Sequence, residues 1–486
     1  MYRLSKPQKL VYDMEKYAGG AIAVICGSVL LKGNRELDTL RNAVNQLYKI
    51  NDALRIKIEE TTGGTTQTVS NFVPRDTTVL RFGDKAEFDA YATQHAQTPL
   101  DIYSSLCEIQ IILLEDSYGI LVKLHHLIGD AWTLSLLGSQ FCAILNGETT
   151  NAYPYTDYIS NEEAYLQSPR YEKDRTFFFE QFKECEEVTY LSDKQSSSFA
   201  TKRRSFVMDS MQAKTILDYA AQNNSSPFTM FMTAFAMYMS RTKLNAERFY
   251  IGTAVLNRAG LREKNTVGMY INTVPLLIKL ENNGTLSENL SSVQETVLST
   301  FRHQKYNYGD VLSDIRKEYG FAEKLYDAVL SYQNAAITGV NGEFESCWYH
   351  SGMQTESLQI HIEDRDNEGI FRIHFDYQTD KFTEHEIERM YEHMTNLLFD
   401  AIENEDKKLR ELKILSSAEK QTLFYDFNNT AADYPRDKCV HTLFEEQVVR
   451  TPDKTAIIAC DATLTYAELN EMANRIAHSL IEQGVD

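Results

Sequence analysis

The sequence is short of the features that mark secreted, membrane-spanning or nucleic-acid-binding proteins. Its seven cysteines, at positions 26, 107, 142, 185, 347, 439 and 460, stand singly, and no C-x-x-C pair occurs. An odd, scattered set argues against a disulfide framework and structural zinc, and it suits a reducing cytoplasm. The most apolar runs, 21–31 and 106–114, fall well short of the roughly 20 residues that span a bilayer, so no membrane partner is expected. The start, Met1-Tyr2-Arg3-Leu4-Ser5, lacks the charged-then-apolar layout of a signal peptide. Positive charge is scarce: 49 Lys and Arg stand against 69 Asp and Glu, a formal net charge of −20. That balance excludes a protein built to grip a phosphate backbone. Only 9 Pro and 22 Gly occur among 486 residues, which excludes fibrous and low-complexity classes.

What is present is ordinary globular material. The chain is 43% hydrophobic and 24% charged, and its length predicts two to four domains. The first 60 residues read as an extended start, a strand at 21–31, a helix at 36–50 with Leu37, Leu40, Val44 and Leu47 on one face, and a strand at 53–59. Two β runs, 106–114 and 119–126, flank a polar turn, and a helix follows at 132–145, stopped by Gly147. A long charged helix is expected over 162–184, bridging two halves. Strands are expected at 204–208, 249–256, 272–280, 326–333, 358–362 and 370–377, with helices at 226–240, led by Pro227, and 383–403. The mixed order gives an α/β or α+β protein of two similar lobes. After about Ile414 the pattern changes, and a strand-turn-helix begins near Val440. The stretch to Asp486 is too short to bury a core of its own and reads as the front of a further domain.

The sharpest chemical signal is Leu124-His125-His126-Leu127-Ile128-Gly129-Asp130-Ala131-Trp132. Side chains alternate along a strand, so only one of the two histidines can face a reacting partner. An imidazole with an ordinary pKa near 6.5 suits a general base around neutral pH. Asp130, where the next helix starts, also reads as a helix cap. Adjacent histidines are poor zinc ligands, and no third ligand is spaced for them, so no metal is expected.

This string resembles the H-H-x-x-x-D-G signature of the condensation domains of nonribosomal peptide synthetases. Other segments follow in that family's order. Ser5-Lys6-Pro7-Gln8-Lys9 with Tyr12 resembles the opening S-x-x-Q motif, and Asn51-Asp52-Ala53-Leu54-Arg55 resembles the R-H-E-x-L-R motif in its N-D-x-L-R form. Tyr155-Thr156-Asp157-Tyr158 matches Y-x-D-Y. Val267-Gly268-Met269-Tyr270-Ile271-Asn272-Thr273 matches V-G-x-F-V-N-T. His303-Gln304-Lys305-Tyr306 and Ser331-Tyr332-Gln333-Asn334 complete the set. Leu464-Thr465-Tyr466-Ala467-Glu468-Leu469 resembles the first core motif of adenylation domains.

The resemblance implies an α/β fold of two chloramphenicol-acetyltransferase-like lobes in a V-shaped pseudo-dimer with a central tunnel. It divides the chain into an N-terminal lobe (1–175), a C-terminal lobe (176–425), a linker (426–439) and an adenylation-domain fragment (440–486). The implied reaction is amide formation, an α-amine attacking a thioester. His126 would be the base, with His125, Gly129 and Asp130 completing the catalytic motif. Backbone N–H groups near Gly129 would steady the oxyanion. Arg258, in Leu256-Asn257-Arg258, would hold Asp130, with Arg55 a second ionic prop. Ala131, Trp132, Tyr270, Asn272, Tyr332, Gln333 and Asn334 would line the tunnel. Ala131 departs from the family's usual Gly and adds a methyl there.

Within the family, cyclisation domains replace the histidine pair with Asp, and epimerisation domains are not normally followed directly by adenylation. The first motif begins near Leu4, which leaves no room upstream for a carrier and favours a donor arriving in trans. Further likeness to the starter domains of surfactin-type lipopeptide synthetases lies in Pro7-Gln8-Lys9, Asn257-Arg258, Glu263-Lys264-Asn265 and Arg302-His303-Gln304-Lys305-Tyr306. A starter domain implies transfer of a fatty acyl group from acyl-CoA or an acyl carrier protein to an amino acid on a downstream peptidyl carrier protein. The substrates would ride on CoA or phosphopantetheine, with no permanently bound cofactor, in a monomer joined to its adenylation domain. Lys202-Arg203-Arg204, Arg262 and Lys264 are candidates for CoA phosphates, and Phe231, Phe235, Tyr270 and Tyr332 for an acyl pocket. An elongation domain fed in trans and an inactive carrier-docking platform are the alternatives.

Overall fold

The computed structural model describes residues 1–184, 188, 190–243, 245–320, 324–365 and 369–485; Cys185 lies outside them. The chain falls into two compact units, Met1–Ser416 and Ser417–Asp486.

The first unit holds two large mixed sheets. One has five strands in the order Phe344–Tyr349, Val24–Lys32, Ser117–His125, Cys107–Leu113, Val79–Arg81. All neighbours are antiparallel except the last pair. The other has six, in the order Asn272–Lys279, Arg248–Val255, Ala328–Gln333, Leu358–Glu363, Phe371–Gln378, Thr201–Met208. Ala328–Gln333 is parallel to both its neighbours. The core of the six-stranded sheet forms around the helix Pro227–Thr242. Ser226 caps that helix through the Thr229 amide, and Phe235 and Met230 on it are fully buried. Fully burying such a side chain stabilises the fold by about 1.5–3 kcal/mol.

Several elements depart from the sequence reading. The extended start is a helix, Lys6–Ala18, because Ser5 and Gln8 form a reciprocal capping box and Pro7 suits the first turn. The single helix expected over 162–184 is two, Tyr155–Leu166 and Pro169–Glu184. Pro169 lacks an N–H and drives the residue before it out of helical geometry, so the chain turns there. The stretch 53–59 opens with a turn of 3-10 helix before the strand Ile56–Thr61. The unforeseen strand Phe344–Tyr349 crosses from the second half of the chain to edge the first sheet, pairing with Val24–Lys32. Sequence halves and sheets therefore do not coincide.

Tyr155 binds the two halves together. It opens its helix with no exposed surface, and its amide donates to Asp52 Oδ1 at 2.7 Å. Its hydroxyl donates to the Met269 carbonyl at 2.7 Å and lies 3.1 Å from Ser5 Oγ. Its ring lies against Gly268, where a Cβ would sit 2.1 Å from ring atom Cδ2. Val267, Met269 and Tyr270, from the second half, thus enter the core of the five-stranded sheet.

The second unit consists of the helix Val440–Arg450, the hairpin Thr455–Ile458 and Thr463–Thr465, and the helix Tyr466–Glu482, capped by a Thr465–Glu468 box. No described residue of this unit is buried, and Val449 and Ile458 are more than four-fifths exposed.

The Gly268–Tyr155 contact leads to a direct expectation. Gly268→Ala should destabilise by at least the roughly 1–3 kcal/mol typical of overpacking, seen as a lowered melting temperature. Melting unchanged from wild type would contradict this account of how the halves are joined.

Candidate active site

The motif begins where the strand Ser117–His125 ends. His125 and His126 fall on opposite sides of the chain, as strand alternation demands. His125 is buried. Its Nδ1 accepts from the Leu127 amide at 3.1 Å, which places its proton on Nε2, 3.8 Å from Glu15 Oε2 and too far to bond. His125 therefore belongs to the interior.

His126 is half-buried. Its amide donates to Ala23 at 2.7 Å, continuing the sheet past the strand end. Its Nδ1 lies 3.0 Å from the Gly129 carbonyl. A carbonyl can only accept, so Nδ1 carries the proton and Nε2 keeps its lone pair. Burial pushes the imidazole pKa down to about 4, outweighing the upward pull of the Asp130 charge. At neutral pH the ring is an uncharged base. Gly129 sits tightly: a Cβ there would lie 2.9 Å from the Thr133 methyl and 3.0 Å from Leu124 Cδ1.

Asp130 has no exposed surface, and its carboxylate is ringed by donors. It caps the helix Ala131–Leu145 through the Thr133 amide at 2.9 Å. Arg258 Nη2 reaches both carboxylate oxygens at 3.0 Å, and the Tyr270 and Ile271 amides donate to Oδ2 at 3.1 and 3.3 Å. Arg258 Nη1 donates to the carbonyls of Glu263 (2.7 Å) and Thr266 (2.6 Å), Nη2 also donates to that of Gly268 (2.9 Å), and the guanidinium lies 4.0 Å over the Tyr270 ring. Both oxygens of Asp130 are thus engaged, and the carboxylate has no geometry left for moving a proton.

The remaining candidates divide. Ala131 is the first residue of its helix, a position where a methyl fits helical geometry. Trp132 donates Nε1–H to the Lys264 carbonyl at 2.8 Å. Tyr270 packs beneath Arg258 and against Tyr155 and Tyr158, which makes it part of the ion pair's housing instead of tunnel wall. Asn272 spends its amide on the Gln304 and Tyr306 carbonyls, at 2.9 and 2.8 Å, and borders a cavity of about 40 Å³ whose lining does not include His126. Tyr332 donates its hydroxyl to Asp364. Gln333 faces His361, and Asn334 is exposed. Arg55 is no ionic prop: it donates to the Tyr48 and Ser70 carbonyls at 3.0 and 2.6 Å, tying the chain after the helix Leu37–Ile50 to the strand end at Val69.

The cationic candidates are mostly spent. Arg203 is bidentate to Asp376 at 2.7 and 2.8 Å, Arg204 reaches Glu388 at 2.7 Å, and Arg262 reaches Asp157 at 3.2 Å. Phe231 and Phe235 lie inside the core of the six-stranded sheet, so they form no acyl pocket. Thr133 falls outside the quoted motifs, yet it closes the site: its hydroxyl donates to Gly268 O at 3.1 Å and accepts from Gly268 N at 3.2 Å.

Comparison with known proteins decides the family. Residues 1–424 match the condensation-domain family, and residues 444–486 match the AMP-binding enzyme family. The chain belongs to the condensation-domain family. One of the plipastatin synthase proteins of Bacillus subtilis (strain 168) is 28% identical over 501 residues, covering all of this chain and 20% of its own length. Surfactin synthase subunit 1 of the same strain is 27% identical over 509 residues, again all of this chain and 14% of its own length. The chain thus spans a fifth or less of these curated relatives. Among solved structures, the starter condensation domain of rhizomide synthetase, in complex with C8-CoA, superposes with a TM-score of 0.76 at 17% identity, covering 85% of this chain and 98% of that one. The first condensation domain of the CDA synthetase gives 0.76 at 16% identity over 85% and 99%. The condensation fold these share is the α/β, two-lobed chloramphenicol-acetyltransferase-like one. No helix among the described residues is long and apolar enough to cross a membrane.

Two outcomes follow from the geometry. Asp130→Ala strands a buried guanidinium, and Arg258→Ala a buried carboxylate, so each should lose about 3–5 kcal/mol of stability, read by denaturant or thermal melting. Abolished activity with normal melting would assign Asp130 a direct chemical role. For His126, the folded state disfavours the imidazolium, so the unfolded chain binds the extra proton between about pH 6.5 and 4. Stability should fall as pH is lowered through that window, and this component should vanish in His126→Gln.

Proposed function

We propose that residues 1–424 act as a starter condensation domain of a nonribosomal peptide synthetase. It would transfer a fatty acyl group from a CoA or acyl-carrier thioester to the α-amine of an amino acid on a downstream peptidyl carrier protein. The observation that carries the reading is the state of His126: neutral, its Nδ1–H fixed on Gly129 O, its Nε2 free to accept.

The chemistry needs little more. An α-amine titrates near 7.7–8, so much of it is already uncharged at cellular pH. Its nitrogen attacks the thioester carbonyl, and the N–H proton passes to His126 Nε2. The C–S bond then breaks, and the imidazolium returns the proton to the departing thiolate. An imidazolium with so low a pKa returns its proton readily, and the reaction is redox-neutral. The main contribution of the site is holding the two reactants in line.

The starter assignment draws support from the solved neighbour bound to C8-CoA and from the likeness to the plipastatin and surfactin synthases. The engagement of Arg203, Arg204 and Arg262 with carboxylates favours the second reading, an elongation domain receiving an aminoacyl or peptidyl donor. We assign 1–175 and 176–425 to the two lobes, apart from the exchanged strand, 426–439 to a linker, and 440–486 to the start of an adenylation domain, in a cytoplasmic monomer.

The test is reconstitution with an aminoacyl-loaded carrier protein and acyl-CoAs of graded length, read by intact-protein mass. A mass gain of one fatty acyl group, lost in His126→Ala, is the expected result. Transfer only from an aminoacyl carrier would establish the elongation type, and no transfer from any donor would point to a docking platform.

A further inference from the structure

A second polar assembly lies on the six-stranded sheet, on the face turned away from the apolar core. Leu330, Ile360, Ile362, Ile373 and Phe375 point into that core, so their strand neighbours Ser331, Gln333, His361 and Asp376 point out of it. Asp376 is buried and clamped by Arg203 at 2.7 and 2.8 Å, with His350 Nδ1 and His361 Nε2 each 3.2 Å from its Oδ2. Arg203 holds the carboxylate charged, well below its usual pKa, against the cost of burial. A carboxylate can only accept, so His361 Nε2 carries a proton. Gln333 Nε2 faces Nδ1 and can only donate, so Nδ1 is the acceptor.

That assignment propagates. Ser331 Oγ lies 2.7 Å from His361 Nδ1, and Gln333 Nε2 lies 3.2 Å from the same atom. Both must donate to it. Ser331 has one hydroxyl proton and spends it there, so its oxygen faces outward with lone pairs only. Gln333 turns its N–H toward His361, and its buried Oε1 has no hydrogen-bond partner among the described residues. Among the described residues, Gln333 Oε1 and the remaining lone pairs of Ser331 Oγ, two residues apart on one strand face, receive no donor. A hydrogen bond to a buried acceptor is costly to leave unmade, so the arrangement suits a ligand that brings N–H groups. The chain then runs straight to the active-site helix, where the Ala335 carbonyl accepts from Ser135 Oγ at 2.9 Å, one turn beyond Asp130.

We propose that Ser331 Oγ and Gln333 Oε1 form an acceptor-only cradle for the N–H groups of the attacking amine, with His361 and Asp376 as positioning residues that fix its polarity. The cradle takes two N–H bonds of a primary amine and leaves the nitrogen lone pair for the thioester carbon. It rejects nitrogen without hydrogens. This rests on the condensation reading above and adds which atoms orient the nucleophile. No covalent step is involved.

The experiment measures binding by calorimetry and needs no donor. Probes are glycyl- and leucyl-pantetheine with an amide in place of the thioester, and their N,N-dimethyl counterparts. Wild type should favour the free amine over the dimethylamine by about tenfold or more, the worth of a lost hydrogen bond. Ser331→Ala and Gln333→Leu should each shrink that ratio, and Ser331→Thr should restore it. His361→Leu offers Ser331 no acceptor and frees its hydroxyl proton to point outward, so it should also shrink the ratio. In turnover, Ser331→Ala should raise KM for the amine with little change in KM for the donor. Equal binding of amine and dimethylamine by wild type, or an unchanged ratio in Ser331→Ala and Gln333→Leu, would overturn the cradle. Acyl transfer reports separately on the reaction: discrimination without acyl transfer keeps the cradle and removes the starter reading.

Discussion

The ion pair between Asp130 and Arg258 is the constraint on which the rest of the site depends. Neither side chain has exposed surface, and together they bond backbone amides and carbonyls from the helix Ala131–Leu145 and the segment 263–271. A buried pair of this kind adds little net stability, because desolvating both charges offsets most of their attraction. What it supplies is a unique geometry. With Asp130 locked, the turn from His126 to Asp130 can close only one way, and the Gly129 carbonyl is left pointing at His126 Nδ1. The tautomer of the base is therefore set by a charge pair that never touches the proton it controls.

Much of this was legible in the sequence. Strands such as Ser117–His125 and Leu358–Glu363, and helices such as Leu37–Ile50, carry their own periodicity, and local pattern is enough to find them. The motif order gave Asp130 its partner, since Arg258 follows a strand at a family-typical position. The failures have a common cause in long-range pairing. Phe344–Tyr349 reads as nothing in particular until the edge of Val24–Lys32 is there to receive it. Lys6–Ala18 looks too polar at its start to be a helix, yet Gln8 is fully buried, donating to the Leu127 carbonyl and Gln67.

Charges misled for the same reason. Arg203 and Arg204 read as free cations in the sequence, but their carboxylates stand 173 and 184 residues away. Arg55 looked like an ionic prop and proves to be a hook for two backbone carbonyls. Tyr270 and Asn272 sit in a motif with a clear signature, and that signature records packing around Arg258 and a loop clasp. A motif marks where constraint lies without saying which kind of constraint it is.

The strand Phe344–Tyr349 carries a consequence for how such domains can be taken apart. Its six residues complete the first sheet from the far half of the chain and lie against Gly27, where Trp348 and Leu134 close on the backbone. The lobes are laced, so any opening between them must bend the crossovers at 334–343 and 350–357 or unzip a ladder. Recombination of lobes from different synthetases, cut at a single point between them, would join a sheet to a stranger's edge strand. A graft that respects the architecture needs three junctions, with 344–349 travelling alongside the first lobe.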